Sequence, residues 1–203
     1  MRRKTGNKKT AEDVPSELLF PMFHEASKKI AGLMGVALPP KPRLILNAFD
    51  SKDRKIIHAI KNEKIRKFLK RRIRQHESAV VPKGRIVLLS TNESSHIAEE
   101  AAHYLRTAKM GDLEFGFMMS VIEEALAFFA SLLLFPKRKI PVLNEKHKQW
   151  DELHAKGYSL GLKLWKIWTK SRKSRSMIRK LWKLHPRNEF EAGMMLQVMM
   201  DLK

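Results

Sequence analysis

The sequence contains no cysteine, and this absence excludes several kinds of functional site. Without thiols the chain cannot form disulfides, iron–sulfur clusters, cysteine-ligated zinc sites or a cysteine nucleophile. Any metal ion must therefore be bound by His, Asp or Glu. Phosphate-binding loops and the G-x-S-x-G and G-x-G-x-x-G motifs are also missing, so the chain carries no nucleotide-binding or serine-hydrolase signature. Glutamine is rare as well, which together with the lack of cysteine is a trait of proteins from thermophiles.

Acidic residues are scarce: 21 Asp and Glu stand against 41 Lys and Arg, which gives a net charge of +20 and a pI near 10.3. The excess is concentrated in two stretches, Arg54–Arg74 and Lys163–Arg187, which each hold ten basic residues and together hold one acidic residue, Glu63. The stretch Ser90–Phe135 is acidic, with seven Asp and Glu against two basic residues. Such a balance bears on binding partners and solubility, and does not predict a particular fold.

Long apolar runs are also scarce, and the longest one spans Phe117–Phe135. Its length would cross a bilayer, but Glu123 and Glu124 lie in its middle, where two carboxylates are costly. We therefore expect a buried helix of a soluble protein. The basic segment Met1–Thr10 is not followed by the apolar stretch of a signal peptide, so we expect a cytoplasmic location.

The length of 203 residues is enough for one domain with its own core. We expect a basic disordered tail over residues 1–12 and a single domain over residues 13–203, with a basic helical part from about residue 145 onwards. Apolar spacing and breakers predict an α+β fold, mostly helical, with a small sheet of two or more strands and a turn over Val80–Gly84. The predicted strands are Arg43–Phe49 and Arg85–Ser90, and the predicted helices are Ser16–Gly35, Asp53–His76, Ser94–Thr107, Gly116–Phe135, Lys146–Trp168, Ser176–Leu184 and Glu189–Leu202. Ser94 or Ser95 is expected to cap its helix.

A polar stripe marks the helix predicted over Ser94–Thr107. At about 100° per residue, His96, Glu99, Glu100 and His103 fall on one side of this helix, and Ile97, Ala98, Ala101, Ala102 and Leu105 on the other. All four polar residues can ligate a metal or act as a base. The alternative is a solvated helix face without a ligand.

Glu123 and Glu124 interrupt the apolar helix, so at least one of them should face the interior of the protein. A buried carboxylate needs a partner, because leaving it unpaired is expensive. That partner is either a metal ion or an Arg or Lys from the basic helices. A helix–loop–helix return of 20 residues after His103 would bring Glu124 close to it.

A family resemblance follows from three consecutive segments: the strand RIVLLS, the helix EEAAHYLR and the helix VIEEALAFFA. Together they resemble the core of gluzincin-type zinc metallopeptidases, especially the small single-domain archaeal type. That family has H-E-x-x-H on one helix and a glutamate on the next. The match covers roughly Arg85–Phe135, and it implies a zincin-like arrangement in which a small sheet packs on the active-site helix and the glutamate helix.

The resemblance assigns a role to four residues. Glu100 matches the general base that activates zinc-bound water, His103 the second zinc ligand and Glu124 the third. Glu99 occupies the place of the first histidine, so the motif here is E-E-x-x-H. A carboxylate can bind zinc, but the three ligands would then carry a net charge of −2, which also favours harder ions such as manganese.

His96 and Glu123 are less favoured as metal ligands. His96 and His103 are seven residues apart, about 10 Å along a helix, so they are not expected to share an ion. His96 is better placed to pair with Glu100, one turn away.

Three further interpretations concern the rest of the chain. A di-metal carboxylate site of the kind found in ferritin-like bundles needs E-x-x-H motifs on two helices and further glutamates, and it is the less favoured interpretation. His147, Asp151 and His154 share a helix face that is expected to face solvent. Gly157 and Gly161 are expected to permit close helix packing, and Tyr158 is a weaker candidate for stabilising an oxyanion.

The two basic stretches suggest a second function. Trp165, Trp168 and Trp182 are interleaved with Lys and Arg, so cations could neutralise phosphates while indoles stack on bases. A peripheral contact with an anionic membrane and a purely structural role for the tryptophans are the alternatives. The candidate nucleic-acid-binding residues are Arg66, Lys67, Lys70, Arg71, Arg72, Lys163, Lys166, Arg172, Lys173, Arg175, Arg179 and Lys180.

Two hypotheses emerge. The first is a metallopeptidase-like protein that binds zinc or manganese with altered ligands and hydrolyses a peptide or protein substrate, or a pseudoenzyme that has kept the fold. The second is a non-enzymatic protein that binds DNA or RNA through its basic helices.

Overall fold

The computed structural model describes residues 16–82, 85–90, 93–108, 116–138 and 148–203. Within these ranges the chain is mostly helical, with eight helices and one three-stranded sheet, which confirms the predicted α+β class. The helices are α1 (Ser16–Met34), α2 (Ser51–Ala59), α3 (Glu63–Gln75), α4 (Ser94–Thr107), α5 (Phe117–Leu134), α6 (Lys148–Lys170), α7 (Arg172–Lys183) and α8 (Glu189–Asp201). The tail predicted over residues 1–12 lies outside the described residues.

The sheet has the order β1-β3-β2, with β1 (Leu44–Asn47), β2 (Ala79–Val81) and β3 (Ile86–Leu89). β1 runs parallel to the central strand β3, and β2 runs antiparallel to it. All four residues of β3 are buried, because both faces of the sheet are covered. Val87 and Leu89 belong to the main helical core, whereas Ile86 and Leu88 belong to a smaller core with α2 and α3.

Two local predictions are wrong. The helix predicted over Asp53–His76 is two helices, because Ile60 is extended and the side chain of Asn62 accepts a hydrogen bond from the Ile65 amide at 3.1 Å, which starts α3. The turn predicted over Val80–Gly84 begins later, since Val80 and Val81 belong to β2.

The helix termini also differ in part from the prediction. α4 has Glu93 at its N-cap position and no side-chain capping bond, so neither serine caps it. α7 begins four residues before the predicted start, where Ser171 caps it by accepting a hydrogen bond from the Ser174 amide.

α5 forms the centre of the helical core, packed against α4, α6 and α8. By length and composition it could cross a membrane, but 67% of its apolar window is buried inside the protein. α5 is therefore a buried core helix, as we predicted from the two glutamates in its middle. Glu189 of α8 accepts hydrogen bonds from the amides of Met118 and Met119 at 3.0 and 3.3 Å, which fixes the N-terminus of α5.

Candidate metal centre

The polar stripe of α4 faces a cavity. All four of its residues, His96, Glu99, Glu100 and His103, line one space of about 830 Å³, whose walls come from α3, β2, α4, α5 and α6. The opposite side of α4 is buried against the core through its alanines and Ile97. Glu99 is buried and the other three residues are half-buried, so the stripe is not a fully exposed helix face.

Glu99, His103 and Glu124 come together in this cavity. One donor atom from each of the three side chains lies within 4.8 Å of the other two, so the group could hold a metal ion. Glu99 and His103 are one turn apart on α4, and Glu124 reaches them from α5, with its Oε1 atom 3.7 Å from Nε2 of His103. Among the residues that the structure describes, this is the one such group of three.

Glu99 is held by Arg138, a residue that the sequence did not identify. Both side chains are almost fully buried, at 6% and 1% exposed, and they form an ion pair through Oε2 of Glu99. Arg138 is itself positioned by Ser131, whose hydroxyl oxygen accepts a hydrogen bond of 2.7 Å, and by the ring of Phe128 beneath its guanidinium. The second oxygen of Glu99, Oε1, is buried and has no hydrogen-bond partner within the part of the chain that the structure describes.

Glu100 lies between the two α4 residues of the group and lines the same cavity. Burial, together with the negative charges of Glu99 and Glu124, raises its pKa to about 7, against a smaller opposing effect of His103. A carboxylate with a pKa near neutrality is suited to accept a proton in a reaction at physiological pH. Its position and its pKa agree with the role of general base.

His96 and Glu123 have other partners, although both line the cavity. Nδ1 of His96 lies 3.0 Å from Oε2 of Glu93, and not against Glu100 as predicted. Glu123 forms two hydrogen bonds, of 2.8 and 2.6 Å, with the fully buried Arg106. Glu123 therefore pairs with an arginine, but this arginine lies on α4 and not on one of the basic helices as we considered, whereas its neighbour Glu124 lies in the group of three.

α6 packs directly on the part of α5 that carries Glu124. A Cβ atom at Gly157 would lie 2.6 Å from Cβ of Glu124, and one at Gly161 would lie 2.6 Å from the carbonyl oxygen of Ala125. The predicted close packing at these two glycines is thus confirmed. It brings His154 into the site, with Nε2 3.8 Å from Oε1 of Glu124, although His154 is not one of the group of three.

The other predictions for α6 have mixed outcomes. Tyr158 is buried beside the ring of Phe128 and lines the cavity. Burial and the nearby carboxylates raise the pKa of Tyr158, so its hydroxyl keeps its proton. His154 lines the cavity and is half-buried, so it is not the solvent-facing residue that we predicted. The side chains of His147 and Asp151 lie outside the described residues.

Several cations of the first basic stretch bind groups that are close to them in the sequence. Arg66 donates a hydrogen bond to the carbonyl of Ile60 at 3.0 Å, Lys67 pairs with Glu63 at 2.8 Å, and Arg72 pairs with Glu77. Arg71 is exposed and Lys70 is half-buried. Lys163 on α6 donates to the carbonyl of Met200, and Lys166 is exposed.

α7 presents a different arrangement, with cations that no carboxylate neutralises. Five of the candidate residues lie on it, and none of them pairs with Asp or Glu within the described part of the chain: Arg172, Lys173, Arg175, Arg179 and Lys180. Trp168 and Trp182 are buried, at 7% and 2% exposed, so they cannot stack on bases as predicted. Their indoles form core contacts, with the guanidinium groups of Arg179 and Arg106 over their rings.

Comparisons with known proteins add no relative to this arrangement. No protein-family model, no curated protein and no solved structure matches the chain.

Proposed function

We propose that this protein is a metal-dependent hydrolase of the metallopeptidase kind, with a metal centre formed by Glu99, His103 and Glu124. The observation that carries the proposal is the state of Glu99. Among the described residues its Oε1 atom is buried without a hydrogen-bond partner, and a carboxylate oxygen of Glu99 lies within 4.8 Å of donor atoms of His103 and Glu124. An unsatisfied buried carboxylate oxygen is costly, and a metal ion would satisfy it.

Arg138 supports this proposal through its charge. Three ligands that include two carboxylates carry −2, which weakens an ion as a Lewis acid. The guanidinium of Arg138, bound to the other oxygen of Glu99, offsets one of these charges. Glu99, which stands where the family has its first histidine, would thus bind the ion through one carboxylate oxygen while Arg138 offsets its negative charge. We propose zinc as the ion, with manganese as the alternative that a carboxylate-rich site also accepts.

The chemistry that we propose is hydrolysis of a peptide bond. A divalent ion held by these ligands would activate water as a nucleophile. Glu100 would accept the proton, because it lines the same cavity as the three ligands and a cation bound there would favour its charged form near neutral pH. The cavity of about 830 Å³ leaves room for a substrate segment beside Glu100. We further propose that the protein acts in the cytoplasm.

Replacing Glu100 by glutamine tests this function. We expect the variant to keep its bound metal and to lose hydrolysis of a peptide library by a factor of about 10²–10⁴, the range for removal of a general base. Glu152→Gln is the matched control, since Glu152 is an exposed residue paired with Lys156 outside the cavity. Hydrolysis retained in Glu100→Gln would contradict the role of Glu100. A metal-loaded wild-type protein without any hydrolysis would contradict the hydrolase function and leave a metal-binding pseudoenzyme.

We propose binding of nucleic acid phosphates by α7 as a second candidate function. The observation that favours it is the row of exposed cations on α7 without carboxylate partners. No large apolar side chain on α7 is exposed, so the helix lacks the anchors of a membrane-surface helix. Because cations that contact phosphates do not read the bases, we expect binding that does not depend on sequence.

The salt dependence of DNA binding tests the second function. With five phosphate contacts from α7, the slope of log K against log salt should be about −4 to −5. Replacing Lys173, Arg175 and Lys180 together by glutamine should reduce this slope by about 3. Lys67→Gln is the control, since Lys67 already pairs with Glu63. A slope near zero, or an unchanged slope in the triple variant, would contradict binding by α7.

A further inference from the structure

The packing of α6 on α5 is closest beside the proposed metal centre. Gly157 and Gly161 are one turn apart on α6, and any side chain at either position would collide with α5 at Glu124 and Ala125. Close contact of two helix backbones requires small residues at the contact. This contact therefore fixes the distance from α6 to the carboxylate of Glu124.

His154 lies one turn before Gly157 and therefore on the face of α6 that meets Glu124. Its Nε2 atom is 3.8 Å from Oε1 of Glu124, and Nε2 of His103 is 3.7 Å from the same oxygen. Two imidazoles from different helices thus approach one carboxylate oxygen at nearly equal distances. Both side chains line the cavity, and His154 is 26% exposed at its edge.

These separations agree with the spacing of ligands around an ion. Both exceed the 2.7–3.2 Å usual for an N–H···O hydrogen bond. Donor atoms that bind one zinc ion tetrahedrally, at about 2.0–2.1 Å from it, lie about 3.3–3.4 Å from each other. A shift of a few tenths of an ångström would bring either imidazole to this spacing from Glu124.

We infer that His154 is a fourth ligand of the metal centre, an inference that rests on the proposed function. The ligand set is then two imidazoles and two carboxylates drawn from three helices. His154 must move closer to Glu99 and His103 than it lies in the structure, which its place at the open edge of the cavity permits. Four protein ligands complete a tetrahedral zinc site, so water would have to enter as a fifth ligand for hydrolysis to occur at this centre.

The two possible roles of His154 differ in a measurable way. A ligand contributes nitrogen directly to the ion, whereas a positioning residue would only donate a hydrogen bond to Glu124. Glutamine can still donate that hydrogen bond, but its amide is a poor replacement for imidazole as a ligand. The variants His154→Ala and His154→Gln therefore separate the two roles.

The experiment is titration of the full-length protein with Zn²⁺ by calorimetry, joined to X-ray absorption of the zinc-loaded protein. X-ray absorption should show two imidazoles per zinc in the wild type and one in each His154 variant. We expect each variant to bind Zn²⁺ about 100-fold more weakly, which is at least as large as the loss caused by removing a residue that only orients a ligand. His58→Ala is the control, because His58 is exposed on α2 and does not line the cavity.

Each outcome decides a separate point. Wild-type affinity in His154→Ala, or full rescue by His154→Gln with an unchanged imidazole count, would overturn the fourth ligand and leave the three-residue centre standing. Failure of the wild type to bind Zn²⁺ would overturn the proposed function itself, and the inference with it. Thermal unfolding of each variant, compared with His58→Ala, verifies that the proteins are folded.

Discussion

Replacement of Glu123 by alanine is expected to lower the free energy of unfolding by about 3–5 kcal/mol, the range for breaking a buried ion pair by removing one partner. Arg106 is fully buried and makes two hydrogen bonds to Glu123. It also donates to the carbonyls of Trp182 and Leu184 at the end of α7. Without Glu123, the guanidinium would remain buried with only neutral partners. Urea denaturation measures the change.

The matched control is Glu152→Ala, which breaks an exposed ion pair on α6 with side chains more than half exposed. Such a pair contributes about 0–1 kcal/mol. The double replacement of Arg106 by methionine and Glu123 by leucine should recover much of the loss, since both charges are then removed. A loss from Glu123→Ala as small as that from Glu152→Ala would contradict the role of this pair in holding α4 against α5.

Metal affinity is expected to rise steeply with pH, by up to tenfold for each unit between about pH 6 and 8. Burial by itself would lower the pKa of His103, but the carboxylates of Glu124, Glu100 and Glu99 outweigh it and raise the pKa to about 10. In the metal-free protein His103 is therefore protonated at neutral pH. An ion must displace this proton, and the displacement becomes easier as pH rises.

Calorimetric titration with Zn²⁺ in two buffers of different ionisation enthalpy measures this linkage, because the released proton is taken up by the buffer. We expect about one proton released per ion at pH 7. The variant His103→Ala should show weak binding with little proton release. Affinity that is constant from pH 6 to 8 would contradict ligation by His103.

The sequence predicts the core of the site because its signals are local. The four-residue stripe on α4 follows from helical periodicity, and the two glutamates in an apolar run required partners. Both features depend on residues within one helix, where spacing alone determines which side chains share a face. The strand before α4 and the bounds of α5 were predictable for the same reason.

The partners that come from elsewhere in the chain could not be predicted in this way. Arg138 follows the turn at Pro136, and no local pattern indicates that it pairs with Glu99, 39 residues earlier. Arg106 likewise lies on the buried side of α4, although nothing in the sequence distinguishes it from an ordinary surface cation. Ion pairs between distant segments depend on tertiary packing and not on periodicity.

The position of His154 near a helix contact could have been predicted from the sequence. Gly157 and Gly161 predict that α6 packs closely on another helix, and His154 lies one turn before the first of them. The histidine therefore had to lie near that contact. What the sequence could not show is that Glu124 is the residue on the other side. The buried positions of Trp168 and Trp182 also depend on packing, which is why base stacking by these two indoles was predicted incorrectly, whereas Trp165 is half-buried.

The most direct test of the proposed centre is anomalous X-ray scattering from crystals grown with Mn²⁺ or Zn²⁺. We expect one strong anomalous peak in the cavity, at bonding distance from the side chains of Glu99, His103 and Glu124, and its loss in crystals of His103→Ala. Crystals of the wild type with no peak between these three residues, at saturating metal, would contradict the metal centre and leave Glu99 with Arg138 as a structural ion pair.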